Sequence, residues 1–526
     1  MVNIIDKTIE VISPESALRR DTARKVLKAQ RAYEAAQPSR LRKTKTDPGS
    51  GDAIVERAGE SLRLQARHLD ENHDLAGGVL DCLVNNVVGR GINVEPQVKL
   101  KNGELAKQVN DQLIELWEEW TRFPEVTWEC HWNHMLRLIA RHWFRDGEVL
   151  VKHIEGTSST IDHGTLVPYS LEMIEADFLP FEYNDQKKKI IHGVEKNTWR
   201  RPRAYYLYKE HPGDSHTLVT RQDVKRFAAE KILHLKIAKR ISQTRGVSIF
   251  ASVMTRMEDI KDYELSERLA AKVAASICAF IRKSLDGPAS GLQVDEAGNR
   301  LMKMQPGMIF DNLLPGEEVG MIDSNRPNTM LEQFRNSQLR AVAAGTSTGY
   351  SSIAKDYNGT YSAQRQELVE QSVHYAVLRE YFIERSVRPI WERFVDMAVL
   401  SGQLKMPQNE INPRTLKKAG FQGPVMPWID PQKEVTAEEK AVAAGFKSRA
   451  EVIRARGGNP QDTFEQIKQE RNQEKEAGIS FSTSNGDQQL SLFNETQGES
   501  NDKENEDDSG KQKPETDESG DTDTDD

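Results

Sequence analysis

SIFASVMTRMEDIKDYELSERLAAKVAASICAFIRK, Ser248 to Lys283, runs for 36 residues without a proline or a glycine. Apolar residues recur at Ile249, Val253, Met257, Ile260, Leu265, Leu269, Val273 and Ile277, close to the 3.6-residue period of a helix. The spacing predicts one helix over the whole stretch, roughly 54 Å long at 1.5 Å per residue. Ala270, Ala271, Ala274 and Ala275 would let a second helix approach closely. A helix of this length either crosses a domain or builds a wall shared by several subunits. Its most apolar part, Leu269 to Ile281, contains Lys272 and is too short to span a bilayer.

On the N-terminal side, Ser13-Pro14-Glu15 reads as a helix start, with a capping serine, proline at the first position and an acid in the first turn. Residues 37–52 read as a linker. A second helix is expected from about Ala53 to Val87, ended by Gly89 and Gly91. A strand at Ile92–Glu95, helices at Leu105–Trp120 and His134–Phe144, and a strand at Val149–Val151 follow. Between Leu166 and Ile237 the pattern changes to short β-rich runs, Leu171–Ile174, Ile190–Val194, Ala204–Tyr208 and Ile232–Leu235. They read as a small β or α/β unit. On the C-terminal side, Met308–Ile322 is strand-like. Thr329–Ala344 and Ser362–Leu400 are helical, the latter interrupted by Pro389. Asp430-Pro431 starts a further helix, and Gly445 and Gly457-Gly458 punctuate two more. Beyond about Gly478 periodicity is lost and the composition predicts disorder.

The charge is unevenly placed. The chain of 526 residues has a net charge of -9, yet Glu499–Asp526 alone carries 13 acids and 3 lysines, a net of -10. The rest is almost neutral. Arg19–Lys45 carries 10 basic and 2 acidic residues, a net of +8, which suits nucleic acid or an acidic partner or simply a solvated arm. Within it Arg19, Arg20, Arg24, Lys25, Arg40, Arg42, Lys43 and Lys45 are the candidate contacts. Cys82, Cys130 and Cys278 are too few and too widely spaced for a disulfide framework. No signal peptide or membrane span is expected.

No GxxxxGK[ST] loop is present to hold nucleotide phosphates, and neither HExxH nor a paired CxxC occurs; a motor would have to be a separate protein. No cofactor and no metal are expected. Cys130, His131 and His134 lie close in sequence but have no second ligand pair nearby, whereas a structural zinc site needs four ligands. Gly345-Thr346-Ser347-Thr348-Gly349 matches GxSxG by letter. That motif needs a strand before the serine, and here a helix is expected, so catalysis is not.

Several segments in order resemble the lambda-type phage portal family. They are Leu80-Asp-Cys-Leu-Val-Asn-Asn-Val-Val-Gly-Arg-Gly-Ile92, Arg145-Asp-Gly-Glu-Val149, Glu172-Met-Ile-Glu-Ala-Asp177 with His234, and Thr244-Arg-Gly-Val-Ser248. Leu339-Arg-Ala-Val-Ala-Ala-Gly345 follows, with Lys355-Asp-Tyr357 and Tyr361-Ser-Ala-Gln-Arg365, then Trp428-Ile-Asp-Pro-Gln-Lys433, Ala437, Gly445, Arg454, Gly457 and Glu470. The resemblance covers about Leu69 to Gly478.

The resemblance implies an α+β, mainly helical portal fold, assembled as a ring, typically a homododecamer, at one capsid vertex of the virion. Its implied partners are other copies of itself, double-stranded DNA in transit, the terminase large subunit, the major capsid or scaffold protein, and head-completion or tail connector proteins. Assembly would take place in the host cytoplasm. The regions expected are a basic arm and linker (1–52), a helical wing (53–165), a β-rich clip or wing region (166–240) and a long stem helix (248–283). Wing and a channel-facing loop (284–429), a helical crown (430–478) and an acidic tail (479–526) complete the chain. Wall acids would repel passing DNA rather than hold it, which makes Asp259, Asp262, Glu264 and Glu267 candidates to face the channel. Ser347 and Thr348 are further candidates, in a turn from Gly345 to Tyr357 that reads either as a channel loop or as an ordinary wing loop. Two other functions remain open at this point, a helical DNA-binding protein acting through the arm and a serine hydrolase at Ser347.

Overall fold

The computed structural model describes residues 49–157, 161–214, 223–275, 279–283, 317–321, 330–407, 410–425 and 431–477, together with Glu15, Arg19 and Thr22. The chain divides into two compact units. One comprises Met1–Lys447 with Ala455–Gly457, the other Ser448–Arg454 with Gly458–Asp526.

In the larger unit the expected helix from Ala53 is two helices, α1 (Gly51–Asn72) and α2 (Asp74–Val87). The break is chemical. His73 leaves helical geometry at φ −126°, ψ 114°; its Nδ1 accepts the amide of Leu75 at 3.3 Å and its Nε2 meets the Met257 carbonyl oxygen at 2.9 Å. A short strand β1 (Asn93–Pro96) and helices α3 (Lys107–Trp120) and α4 (Trp132–Asp146) follow. Trp117 stacks on Trp120 with centroids 4.8 Å apart and meets Trp391 edge-on at 5.2 Å. Trp120 Nε1 donates to the Tyr169 carbonyl at 2.8 Å, so these large rings are buried without an unpaired donor at Trp120.

The β-rich stretch is not a separate unit. Strand β2 (Glu148–Glu155) is flanked by β3 (Tyr169–Ile174) and β8 (Ile232–Lys236) in one antiparallel sheet. A boundary at residue 165/166 would cut that sheet. Alternation along β2 divides two cores. Val149 and Val151 join the helices, while Leu150 joins Ile174, Val194, Tyr205, Leu207 and Ile232. This second core lies under a four-stranded antiparallel sheet, β4 (Ile190–Ile191), β5 (Val194–Lys196), β6 (Pro202–Tyr208) and β7 (Val224–Ala228). The run Ile190–Val194, expected as one strand, is a hairpin. His192 (φ 51°) and Gly193 (φ 78°) form the left-handed two-residue turn that matches strand twist.

The 36-residue helix expected from Ser248 is also subdivided. A 3₁₀ turn at Ile249–Ser252 precedes α5 (Met254–Ala275), and Ala279–Lys283 is a strand, β9, antiparallel to β10 (Glu317–Met321). Helical spacing of apolar residues cannot distinguish a helix end from a short strand when Phe280 and Ile281, both strand-favouring, lie at the end of the run. The chain returns through α6 (Leu331–Thr346), α7 (Tyr350–Ala354) and α8 (Tyr361–Phe382). A π-helical turn (Ile383–Val387) then leads into α9 (Arg388–Leu400). Proline at 389 stands in the first turn of α9, where its missing N–H costs little, and the wide turn before it absorbs the break. Strand β11 (Ala419–Gln422) closes on β1, and α10 (Pro431–Ala443) follows. The smaller unit holds α11 (Arg449–Ala455) up to Arg454 and α12 (Pro460–Ala477), with the Asn459 side chain accepting the Gln461 amide at 3.0 Å.

Two backbones cross tightly where β2 begins. A Cβ on Gly246 would lie 2.0 Å from the Gly147 carbonyl oxygen, and Gly147 itself has φ +85°. Gly246→Ala is therefore expected to lower stability by about 3 kcal/mol or more. Gly77→Ala in α2, with nothing within 4 Å of the new methyl, should be neutral or slightly stabilising. Thermal unfolding of the two purified variants beside the parent checks the contrast.

Candidate functional site

The glycine crossing positions a buried polar junction. Glu148, 1 % exposed, accepts from Arg245 Nε at 2.7 Å, from the Gly246 amide at 2.8 Å and from His234 Nε2 at 2.9 Å. Burial alone would raise its pKa. The Arg245 charge and the His234 hydrogen bond outweigh that and hold it well below the usual carboxylate range. Arg245 is fully buried and donates also to the carbonyls of Leu179 at 2.6 Å and Ala176 at 3.0 Å. Its guanidinium lies 3.9 Å from the Phe181 ring centre. The residues Arg145–Val149, Glu172–Asp177, His234 and Thr244–Ser248, far apart in sequence, are thus one assembly.

A second layer surrounds it. Arg67 bridges Asp146 at 2.8 Å and Asp177 at 2.5 Å, Arg145 pairs with Asp146 at 2.8 Å, and Arg141 joins Asp70 at 2.5 Å and Asp81 at 2.7 Å. Glu175, Asp177 and His211 come close enough to surround a cation. The Arg67 guanidinium already stands against both carboxylates, and His211 Nδ1 accepts the Gly213 amide, which leaves the proton of the neutral ring on Nε2. This chemistry is that of an ion-pair network. Hydrogen bonding by His142, with Arg67 beyond it, draws Glu175 down to about 2.

Helices α5 and α6 run antiparallel. Glu264 pairs with Arg335 at 2.6 Å, Tyr263 meets Phe334 at 4.9 Å between ring centres, and Arg256 reaches Gln338. Of the four acids singled out on α5, Asp259 and Asp262 are exposed. Glu264 is engaged by Arg335, and Glu267 is only 6 % exposed, so those two do not stand on the solvated face. Leu265 and Leu269, by contrast, are 57 % and 61 % exposed.

The turn after α6 is built rather than loose. Gly345 belongs to α6, and a Cβ there would come within 2.4 Å of Val253 Cγ1, so its role is close helix contact. Ser347 is exposed and takes the left-handed cap position, φ 55°. It follows a helix, and among the described residues no histidine or carboxylate engages its hydroxyl. Thr348 is buried at 2 % exposure, its hydroxyl 2.8 Å from that of Thr346. Glu367 accepts the Ser351 amide and Asp356 the Tyr350 hydroxyl. His131 serves as the cap of α4, its Nδ1 accepting the His134 amide at 3.0 Å. In the arm, Arg19 pairs with Glu15 at 3.0 Å; Arg20, Arg24, Lys25, Arg40, Arg42, Lys43 and Lys45 lie outside the described residues.

One feature went unread in the sequence. On α8, Val369, Val373 and Val377 are 44 %, 63 % and 63 % exposed and recur every fourth residue, a ridge that no other described residue covers. Their spacing is ordinary for a helix, and only the fold reveals that the buried residues of α8 are others, Tyr375 and Phe382.

Residues 37–379 match the family model for phage portal proteins of the lambda family. The chain is 23% identical to a probable portal protein of Halomonas phage phiHAP-1 over 480 residues, 87% of this chain and 89% of that one. It is 22% identical to portal protein B of Escherichia phage lambda over 269 residues, 45% of this chain and 49% of the relative. A chain from the virion of a native gene transfer agent particle superposes with a TM-score of 0.42 at 12% identity, covering 78% of this chain and 99% of that chain.

Glu148→Gln should cost roughly 3–5 kcal/mol, because Arg245 would remain buried without its counter-charge. Adding Arg245→Met should cost less than the sum of the single changes, measured by denaturant unfolding. His153 gives a pH signature. Burial, with Arg393 beyond it, pushes its pKa down to about 4. The folded state therefore resists the protonation that the unfolded chain accepts at about 6.5, and stability falls as pH drops from 6.5 towards 4, by up to roughly 3 kcal/mol. In His153→Gln that part of the pH slope should vanish from thermal unfolding curves.

Proposed function

Because the chain belongs to the lambda family of phage portal proteins, and so serves at the capsid portal as a head–tail connector, we propose that it forms a closed ring of about twelve copies through which double-stranded DNA passes. The observation that carries the ring is the pair of apolar ridges left exposed among the described residues on two different helices of one unit, Leu265 and Leu269 on α5 and Val369, Val373 and Val377 on α8. A two-fold dimer needs one self-complementary patch. Two unlike patches suit a head-to-tail contact, which closes into a ring, and residues four apart form the ridges that pack helix against helix.

In this reading α5 and α6, continued by β9 and β10, are the stem, with the clip at its β9–β10 end. The sheets of residues 166–240, which share the body's core, go with the wing, and α10 begins the crown. Asp259 and Asp262 line the channel, where exposed acids and an almost neutral body keep phosphates from being held. The terminase large subunit and later the head-completion or tail proteins dock at the clip, and the capsid or scaffold protein contacts the wing. The chain has no GxxxxGK[ST] loop, and in this reading the driving motor is one of these partners.

Twelve copies of the 59.6 kDa chain would have a mass of about 715 kDa. Light scattering and electron microscopy should show that ring for the parent chain. The pair Val373→Asp and Val377→Asp should yield smaller species with unchanged unfolding of the subunit, since both side chains are mostly solvated before assembly. A ring that persists in this variant would place the interface elsewhere, and a parent chain that is a uniform monomer would argue against the ring.

A further inference from the structure

The two most exposed large apolar side chains of the described residues are Ile241, at 99 %, and Trp199, at 89 %. They stand on neighbouring turns. Trp199 is in the connection from β5 to β6, where the Asn197 side chain accepts the amides of Trp199 and Arg201, each at 2.9 Å. Ile241 is in the turn after β8, held by the Gln243 side chain, which accepts from the Lys239 amide at 3.2 Å. The turns are tied together twice, Arg200 Nη1 donating to Ser242 Oγ at 2.9 Å and Lys196 reaching the Thr244 hydroxyl. Arg200 and Ser242 both take left-handed backbone geometry, φ 63° and 67°, a conformation that non-glycine residues hold only where the surroundings fix it. The two apolar side chains are therefore presented by a fixed frame.

The surface around them is cationic. Residues 197–203 (NTWRRPR) and 238–243 (AKRISQ) contain Arg200, Arg201, Arg203, Lys239 and Arg240 and no acid. A large apolar anchor ringed by arginines is the composition of a protein-binding hot spot. The outside of a DNA duplex would answer the cations and leave Ile241 without an apolar partner. An acidic peptide carrying bulky apolar side chains answers both.

This chain has such a segment. Leu490-Ser491-Leu492-Phe493 is followed, from Glu499 to Asp526, by the run of net charge -10. We propose that the Trp199–Ile241 surface binds this segment, Leu490–Asp526, from a second copy. The leucines and Phe493 cover the tryptophan and isoleucine, and the acids lie along the arginine-rich rim. Leu490 is 13 residues beyond Ala477, which allows a reach of up to about 45 Å. An assembly raises the local concentration of neighbouring segments. The inference uses the ring reading only for the presence of other copies.

The test uses the full chain. Isotopically heavy and light chains are assembled together and joined with a zero-length amine–carboxyl reagent. Mass spectrometry should find Lys239 linked to carboxylates between Glu499 and Asp526 in heavy–light pairs, with the yield falling several-fold in high salt and in Trp199→Ser with Ile241→Ser. Light scattering on the same samples reads the ring separately, so a ring without these links overturns the docking and leaves the ring standing. Links confined to one copy overturn the second-copy assignment. A labelled synthetic peptide of residues 488–526 provides an arm independent of assembly. It should bind the full chain at least tenfold more tightly than the variant Arg201→Glu with Lys239→Glu, and equal binding overturns the proposal. A labelled DNA duplex that alone shows this dependence would make nucleic acid the occupant and likewise overturn it.

Discussion

Glu148 and Arg245 are taken wholly out of water, and a charge pair in that position can be held only if every remaining lone pair and N–H is met. Meeting them recruits distant parts of the chain. The Gly246 amide and His234 complete the carboxylate, and the Leu179 and Ala176 carbonyls complete the guanidinium. To come this close the two strands of backbone must cross at glycines, which is why Gly147 and Gly246 lie opposite each other. The junction fixes the start of β2, and β2 in turn separates the two apolar cores. Helices on one side and the four-stranded sheet on the other are oriented from this point.

Much of this was legible in the sequence as pieces. The short motifs from 80–92 through 145–149, 172–177 and 244–248 to 428–433 together resemble the portal family, that resemblance implied the mainly helical α+β class, and the helix and strand periods marked many of the elements. What the sequence withheld was mutual geometry. His73 looks like any residue in a helical run until its ring is found capping α2 and reaching Met257. Ala279–Lys283 continues the apolar spacing of α5, and nothing local signals the switch to a strand, because the strand's partner lies more than thirty residues away. Glu267 has the same composition context as Asp259 and Asp262, and burial alone distinguishes it. Phe382, Val373 and Val377 are all apolar on one helix, and only packing decides which faces the core. Ser347 illustrates the converse. Its letters fit a nucleophile motif, but a helix precedes it and among the described residues no base engages its hydroxyl.

The charge distribution and the fold are consistent with a protein that lets a polyanion pass. The body is almost neutral. Its buried Arg245 and part-buried Arg67, Arg141 and Arg145 are paired with internal carboxylates, and are withheld from any phosphate. Arg200, Arg201, Lys239 and Arg240, which pair with no carboxylate among the described residues, gather instead on the turns around Trp199, while Arg203 beside them faces Glu195 at 3.9 Å, and many of the acids are concentrated in the segment Glu499–Asp526. In the proposed channel this arrangement would weaken retention of DNA by the body without lowering the number of basic residues, and those residues contribute to cohesion.

The π-helical turn at Ile383–Val387 has a consequence for the long rod of α8 and α9. One extra residue in a turn rotates everything beyond it by a fraction of a revolution relative to everything before it. A continuous α-helix would tie the direction of Val369, Val373 and Val377 to that of Ile390, Trp391, Phe394 and Val395. With the bulge between them, the first half can aim its valines outward while the second drives its rings into the tryptophan cluster. The bulge acts as a phase adjustment, and it gives a single rod two independently chosen azimuths, one turned to solvent and one turned into the core.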